Sequence, residues 1–221
     1  MIISNPMNSQ NRYRHYQIEE MLNSWSHGLT AIAALGGFIV LIVFSVFSSK
    51  NHALFSVLFY GVGLFAVFLS SALYHGVEKE PLKEYLRKLD HSCIYLLIAG
   101  TYTPVLLLTI GGAFGWTFFG IMWGMALIGI FLKIRHIDRF EVASLIMYAI
   151  MGWLALIKIG YLYENLPGAG FWLLLSGGLS YTCGIFFFVL NTRMLYSHFI
   201  WHIFVIAGAL LHYLMIVWYV I

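Results

Sequence analysis

His198 and His202 stand one helical turn apart at the start of the last long apolar run of the chain, so both imidazoles project from one helix face. An ionisable side chain inside a membrane helix costs roughly 2.5 kcal/mol or more when charged, and by default marks a functional site. Two imidazoles at this spacing can bind one ion. A third from His75, which ends the stretch Ser71-Ala-Leu-Tyr-His75, makes three neutral nitrogen ligands and leaves a fourth tetrahedral position for water, the usual form of catalytic zinc. Asp90 would orient or deprotonate that water, or hydrogen-bond a ligating ring from behind. Ser71, one turn before His75, would donate a hydrogen bond or meet a reaction oxyanion. Each residue alone has a plainer reading. A histidine pair can hydrogen-bond neighbouring helices, Asp90 can be an N-terminal helix residue favoured by the macrodipole, and Ser71 can be a small packing residue.

The elements that position these groups follow from composition. Hydrophobic residues make up 61% of the chain and charged residues 10%, against about 45–50% and about 25% in soluble domains. Stretches of about 20 apolar residues, enough to cross a hydrocarbon core of about 30 Å, recur along the whole sequence. The reading is an all-α integral membrane protein with one compact domain over residues 23–221, preceded by a polar segment 1–22. That segment lacks the basic start, short apolar core and cleavage site of a secretory signal, so it is expected to remain, unspanned. The net charge of +3 is explained by topology and does not point to nucleic acid. Cys93 and Cys183 both fall in expected spans without a short-spaced partner and read as buried thiols, not a disulfide framework.

Apolar windows between charge clusters predict seven spans, near 27–48, 53–75, 91–110, 114–133, 142–162, 170–190 and 197–220. Arg12 and Arg14 precede the first; Lys79, Lys83, Arg87 and Lys88 lie between the second and third; Lys133, Arg135 and Arg139 between the fourth and fifth; Arg193 before the seventh. Of the Lys and Arg residues only Lys50 and Lys158 fall on the opposite side. Short cytoplasmic loops retain positive charge, so the N-terminus is expected inside and the C-terminus outside. Trp25 at the inner boundary and Trp116, Trp172 and Trp218 at the outer one fit interfacial anchoring, whereas Trp123, Trp153 and Trp201 are expected between helices.

This orientation brings His75, Asp90, His198 and His202 to one depth near the inner boundary, although they are far apart in sequence. Asn23 and His27 begin the first span on the same side and read as interfacial caps before cavity-lining groups. His212 lies about 15–21 Å farther along its helix than the histidine pair, too far to share a metal. His91 points about 100° away from Asp90 and is left out of the ligand set. His15, His52 and His136 read as exposed loop residues. Gly36-Gly37, Gly61-x-Gly63, Gly120-x-x-x-Gly124 and Gly177-Gly178 are expected at close helix crossings, and Pro104 is expected to kink the third span.

The ordered combination of Glu20-x-x-Asn23 with Ser26-His27-Gly28, Ser71-x-x-x-His75, Leu89-Asp90-His91 leading into Ile-Ala-Gly-Thr-Tyr-Thr-Pro104, and His198-x-x-x-His202 with Ala207-Gly208 resembles the hemolysin III family. This is the bacterial branch of the progestin and adipoQ receptor superfamily, and the resemblance covers nearly the whole chain. It implies a seven-transmembrane bundle in a bacterial inner (plasma) membrane, with zinc held by His75, His198 and His202 and Asp90 beside the zinc-bound water. Relatives in the superfamily are associated with hydrolysis of ceramide-type amides, and the bacterial branch with hemolysis and membrane-lipid homeostasis. The favoured reading is therefore a zinc-dependent hydrolase of lipid amide or ester bonds, its partners being membrane lipids. A receptor-like protein with structural zinc is the alternative, and a pore-forming hemolysin a third. No span carries the repeated polar stripe that a water-filled pore requires.

Overall fold

A computed structural model describes residues 9–190 and 194–221; residues 1–8 and 191–193, Arg193 among them, lie outside the described residues. The helices are α1 (Ser9–Phe47), α2 (Ala53–Gly76), α3 (Leu82–Pro104), α4 (Gly112–Arg135), α5 (Glu141–Trp153), α6 (Ile159–Asn165), α7 (Gly168–Val189) and α8 (Ser197–Met215). A π-turn, Val105–Ile110, prolongs α3; a 3-10 turn, Leu154–Lys158, joins α5 to α6; a second π-turn, Ile216–Val220, prolongs α8. The result is 7 helical spans long and apolar enough to cross a membrane, and among the described residues there is no strand. Helices satisfy every backbone donor and acceptor within the segment, which lipid cannot do for them. Large apolar side chains such as Ile32, Phe47, Ile128, Phe131 and Val142 stand exposed on the outside of the bundle, as a lipid-facing surface requires.

The most buried helices are α2 and α3, and glycines let their backbones meet. A Cβ on Gly63 would lie 2.6 Å from the Leu96 carbonyl oxygen, and one on Gly100 2.8 Å from the Phe59 carbonyl oxygen. This mutual approach fixes α2 against α3 and so the relation between His75, at the end of one, and Asp90, in the other. Gly37, Gly61 and Gly177 are also close-contact positions, receiving the rings of Tyr213, Phe38 and His212. Gly36, Gly120 and Gly124 correct the sequence reading: a Cβ on any of them meets nothing within 4 Å. Cys93 is buried, but Cys183 is exposed, because it lies on the outward face of α7; both are free thiols.

Pro104 does not simply bend its span. It removes one backbone donor and crowds the preceding turn, and the chain continues in the wider π-pattern that closes with Gly111 N–H donating to the Leu106 carbonyl at 2.8 Å. Tyr102, two residues earlier, stabilises a break in a different span. Its hydroxyl donates to the Gly152 carbonyl at 2.9 Å and accepts from the Ala155 amide at 2.8 Å, pairing the groups freed where α5 passes into the 3-10 turn.

The first helix is longer than the predicted span. With 39 residues it extends about 58 Å at 1.5 Å per residue, so the polar stretch before residue 27 continues the same helix past the end of the bundle. There it reaches the N-terminus of α8, where His15 hydrogen-bonds with the Tyr196 hydroxyl at 2.7 Å. His15 is thus a part-buried helical residue and not an exposed loop histidine.

Candidate metal centre and its cavity

The end of α2, the first turns of α3 and the start of α8 converge on one face of the bundle, and the extended part of α1 covers them. His75, His198 and His202 each offer a ring nitrogen, and these nitrogens lie within 4.8 Å of one another. The ring centroids are separated by 5.2 Å for His75 and His198, 4.9 Å for His75 and His202, and 4.8 Å for His198 and His202. Such a group can hold a metal ion.

Neighbouring carboxylates on α1 set the orientation of these rings. Glu20 Oε1 lies 2.8 Å from His75 Nδ1, and its other oxygen accepts from Lys83 Nζ at 2.7 Å. A carboxylate only accepts, so His75 Nδ1 carries the hydrogen, and in the neutral ring Nε2 keeps its lone pair. That Nε2 is buried without a hydrogen-bond partner, as are Nδ1 of His198 and Nδ1 of His202. Buried polar atoms in folded proteins are nearly always paired, and three clustered rings that each keep a buried unpaired nitrogen fit a shared cation. Glu19 acts on the other half of the site. Its Oε1 accepts from the backbone amides of His198 at 3.0 Å and Phe199 at 3.3 Å, capping the helix that carries two of the rings.

Asp90 and Ser71 line a cavity of about 140 Å³ together with His198 and His202. The Ser71 side chain faces the Asp90 carboxyl, which is within electrostatic reach of His75. From this polar end the cavity runs between α3, α5, α7 and α8, past Tyr102, Trp153 and Tyr181, to His212. His212 is indeed remote from the metal group; its Nε2 hydrogen-bonds to the Leu174 carbonyl oxygen at 3.0 Å. His91 is also outside the group of three, but lines the same cavity.

Asn23 and His27 correct the sequence reading of interfacial caps. Both are buried on the interior face of α1, and among the described residues none of their side-chain nitrogens or oxygens has a hydrogen-bond partner. The His27 ring stacks on that of His202, with centroids 3.8 Å apart. The contacts of Glu19 and Glu20 were not read from the sequence either; the available signal was the spacing of Glu19, Glu20, Asn23 and His27 along one helix, which repeats every three or four residues.

A family model described as haemolysin-III related matches residues 15–213. The chain is 41% identical over 210 residues to Hemolysin-3 of Bacillus cereus, with 95% of each chain covered. It is 37% identical over 201 residues to the Hemolysin-3 homolog of Bacillus subtilis (strain 168), covering 91% of this chain and 94% of the relative. Identity to the human Monocyte to macrophage differentiation factor is 28% over 209 residues, covering 91% of this chain and 84% of the relative. No solved structure matches it. With this match over most of its length, and with its kinship to the human protein placing it in the wider progestin and adipoQ receptor superfamily, the chain belongs to the haemolysin III family.

Proposed function

We propose that this protein is a zinc-dependent hydrolase of an amide or ester bond in a membrane lipid, working at the cytoplasmic face of a bacterial inner membrane. The observation that carries the reading is the convergence of three imidazoles with Asp90 and Ser71 at one end of a largely apolar cavity. Three neutral imidazole nitrogens suit zinc, which takes three protein ligands in catalytic sites. Bound there, zinc supplies Lewis-acid polarisation of a carbonyl and activation of water at neutral pH. Glu20 holds His75 by Nδ1, which leaves Nε2 for the metal. Asp90 takes the proton from the attacking water on a carboxylate oxygen and returns it to the leaving nitrogen or oxygen. Ser71 donates a hydrogen bond toward the reacting group, and the apolar walls beyond Tyr102 hold the lipid chain and exclude bulk water.

A receptor-like reading with structural zinc draws on one specific observation: Glu19 and Glu20 tie α1 to both α2 and α8, as a purely structural clasp would. Metal analysis and turnover separate the two. Under the hydrolase reading, His75→Ala purifies with little zinc, while Asp90→Ala keeps its zinc but loses lipid cleavage followed by lipidomics. Zinc content unchanged in His75→Ala, His198→Ala and His202→Ala alike would refute the site. Structural zinc instead predicts that chelation lowers thermal stability with no turnover to lose.

A further inference from the structure

Lys133 has no role in the mechanism above and, among the described residues, no pairing partner. It lies two residues before the end of α4 and is 2% exposed, whereas Arg135 and Arg139 beyond it are exposed. A lysine near a helix end ordinarily snorkels to the headgroups and water. Lys133 instead lines the cavity that also holds Asp90, His91 and Glu141. Among the described residues it forms no hydrogen bond and no ion pair; Glu141 and Asp138 are near enough to act on it electrostatically but do not pair with it. A buried ammonium is costly without an anion and its hydrogen-bond acceptors.

We propose that Lys133 is the recognition group for an oxyanion carried on a lipid chain, so that the cavity selects anionic lipids over zwitterionic ones. The oxyanion is the carboxylate of a fatty acid or the phosphate of a glycerophospholipid whose headgroup carries no cation of its own, since the trimethylammonium of phosphatidylcholine already neutralises the same phosphate, and either reaches Lys133 with its chain lying along the apolar walls. The inference rests on the lipid-binding part of the function proposed above and not on turnover. Phosphate selection makes anionic phospholipid the substrate class; carboxylate selection makes Lys133 the holding point for a released fatty acid.

The test is native mass spectrometry of the purified protein in neutral detergent with equimolar dioleoylphosphatidylglycerol, dioleoylphosphatidylcholine and oleate. The wild type is expected to retain phosphatidylglycerol or oleate over phosphatidylcholine by about tenfold or more, the worth of a charged hydrogen bond. Lys133→Met brings retention to parity, and Arg135→Met, which removes the same charge from an exposed position, leaves it unchanged. Preference for phosphatidylglycerol assigns the phosphate, and preference for oleate the carboxylate. No preference in the wild type, or equal loss in both variants, overturns the proposal, the latter by reducing it to surface charge. Should Lys133→Met fail to fold, amine-reactive labelling of the wild type gives an independent answer: phosphatidylglycerol or oleate protects Lys133 relative to Lys88, and phosphatidylcholine does not. Equal protection by all three refutes it. Zinc content and cleavage are not measured here, so failure of the hydrolase reading does not decide the outcome.

Discussion

Replacing Glu20 perturbs the candidate centre without touching a ligating ring. Its two oxygens accept from His75 Nδ1 at 2.8 Å and from Lys83 Nζ at 2.7 Å. In Glu20→Gln one oxygen remains for His75, so the ring stays oriented, but the negative charge is gone and an amide donor faces the Lys83 ammonium. Losses of metal affinity on removing such an outer partner run from about 10-fold to about 100-fold, or about 1.4 to 2.8 kcal/mol. The glutamine variant belongs near the lower figure. Glu20→Ala also leaves His75 Nδ1–H unpaired and its ring free to turn, and belongs near the upper. Lys83→Met keeps the bond between His75 and Glu20, and should fall between wild type and Glu20→Gln. Zinc competition against a chromophoric chelator in detergent measures all three. Glu20→Ala binding zinc as tightly as wild type would refute the claim that this carboxylate sets the ligand geometry.

Tyr102→Phe leaves the Gly152 carbonyl and the Ala155 amide without their shared hydroxyl, and should cost about 1–3 kcal/mol in a chemical-denaturation or thermal-stability series; an unchanged midpoint would show that the break in the fifth span is paired in some other way. Gly63→Ala drives a Cβ to 2.6 Å from the Leu96 carbonyl oxygen and is expected to destabilise by about 1–3 kcal/mol as the helices separate. Gly120→Ala, which meets nothing within 4 Å, should stay within about 0.5 kcal/mol of wild type. A single cysteine placed at Gln10 in a background lacking Cys93 and Cys183 should react with a membrane-impermeant maleimide only after the cells are opened; labelling of intact cells would invert the proposed orientation.

Much of the site was legible because charge distribution carries depth. The clusters around Lys83 and Arg87, around Arg135, and ahead of the seventh span placed His75, Asp90 and His198 at one end of the bundle before any contact was known. Hydropathy then marked where spans cross, but not where helices stop. The first helix runs on into polar sequence, so hydropathy ended it near residue 27 and left Glu19 and Glu20 without structural contacts. His27 was misplaced for a related reason, since a histidine at the edge of an apolar window looks the same whether it faces headgroups or another ring. Helical phase toward neighbours was the other missing quantity. Gly120 and Gly124 keep the spacing of a packing motif yet point outward, as does Cys183, because which side of an all-round apolar helix faces the interior is decided by its partners.

The adjacent acids Glu19 and Glu20 also bear on how the chain is completed in the membrane. Synthesis delivers the N-terminus first, so α1 carries both carboxylates into place long before α8 exists, and Glu20 finds His75 as soon as α2 follows. Glu19 must wait for the last helix, whose N-terminal amides are its partners. A nascent or truncated chain lacking α8 therefore displays an uncapped acid beside a solitary imidazole, and only the finished molecule conceals them. The clasp thereby doubles as a mark of completeness, distinguishing the full-length protein from its fragments at the very site where an ion would sit.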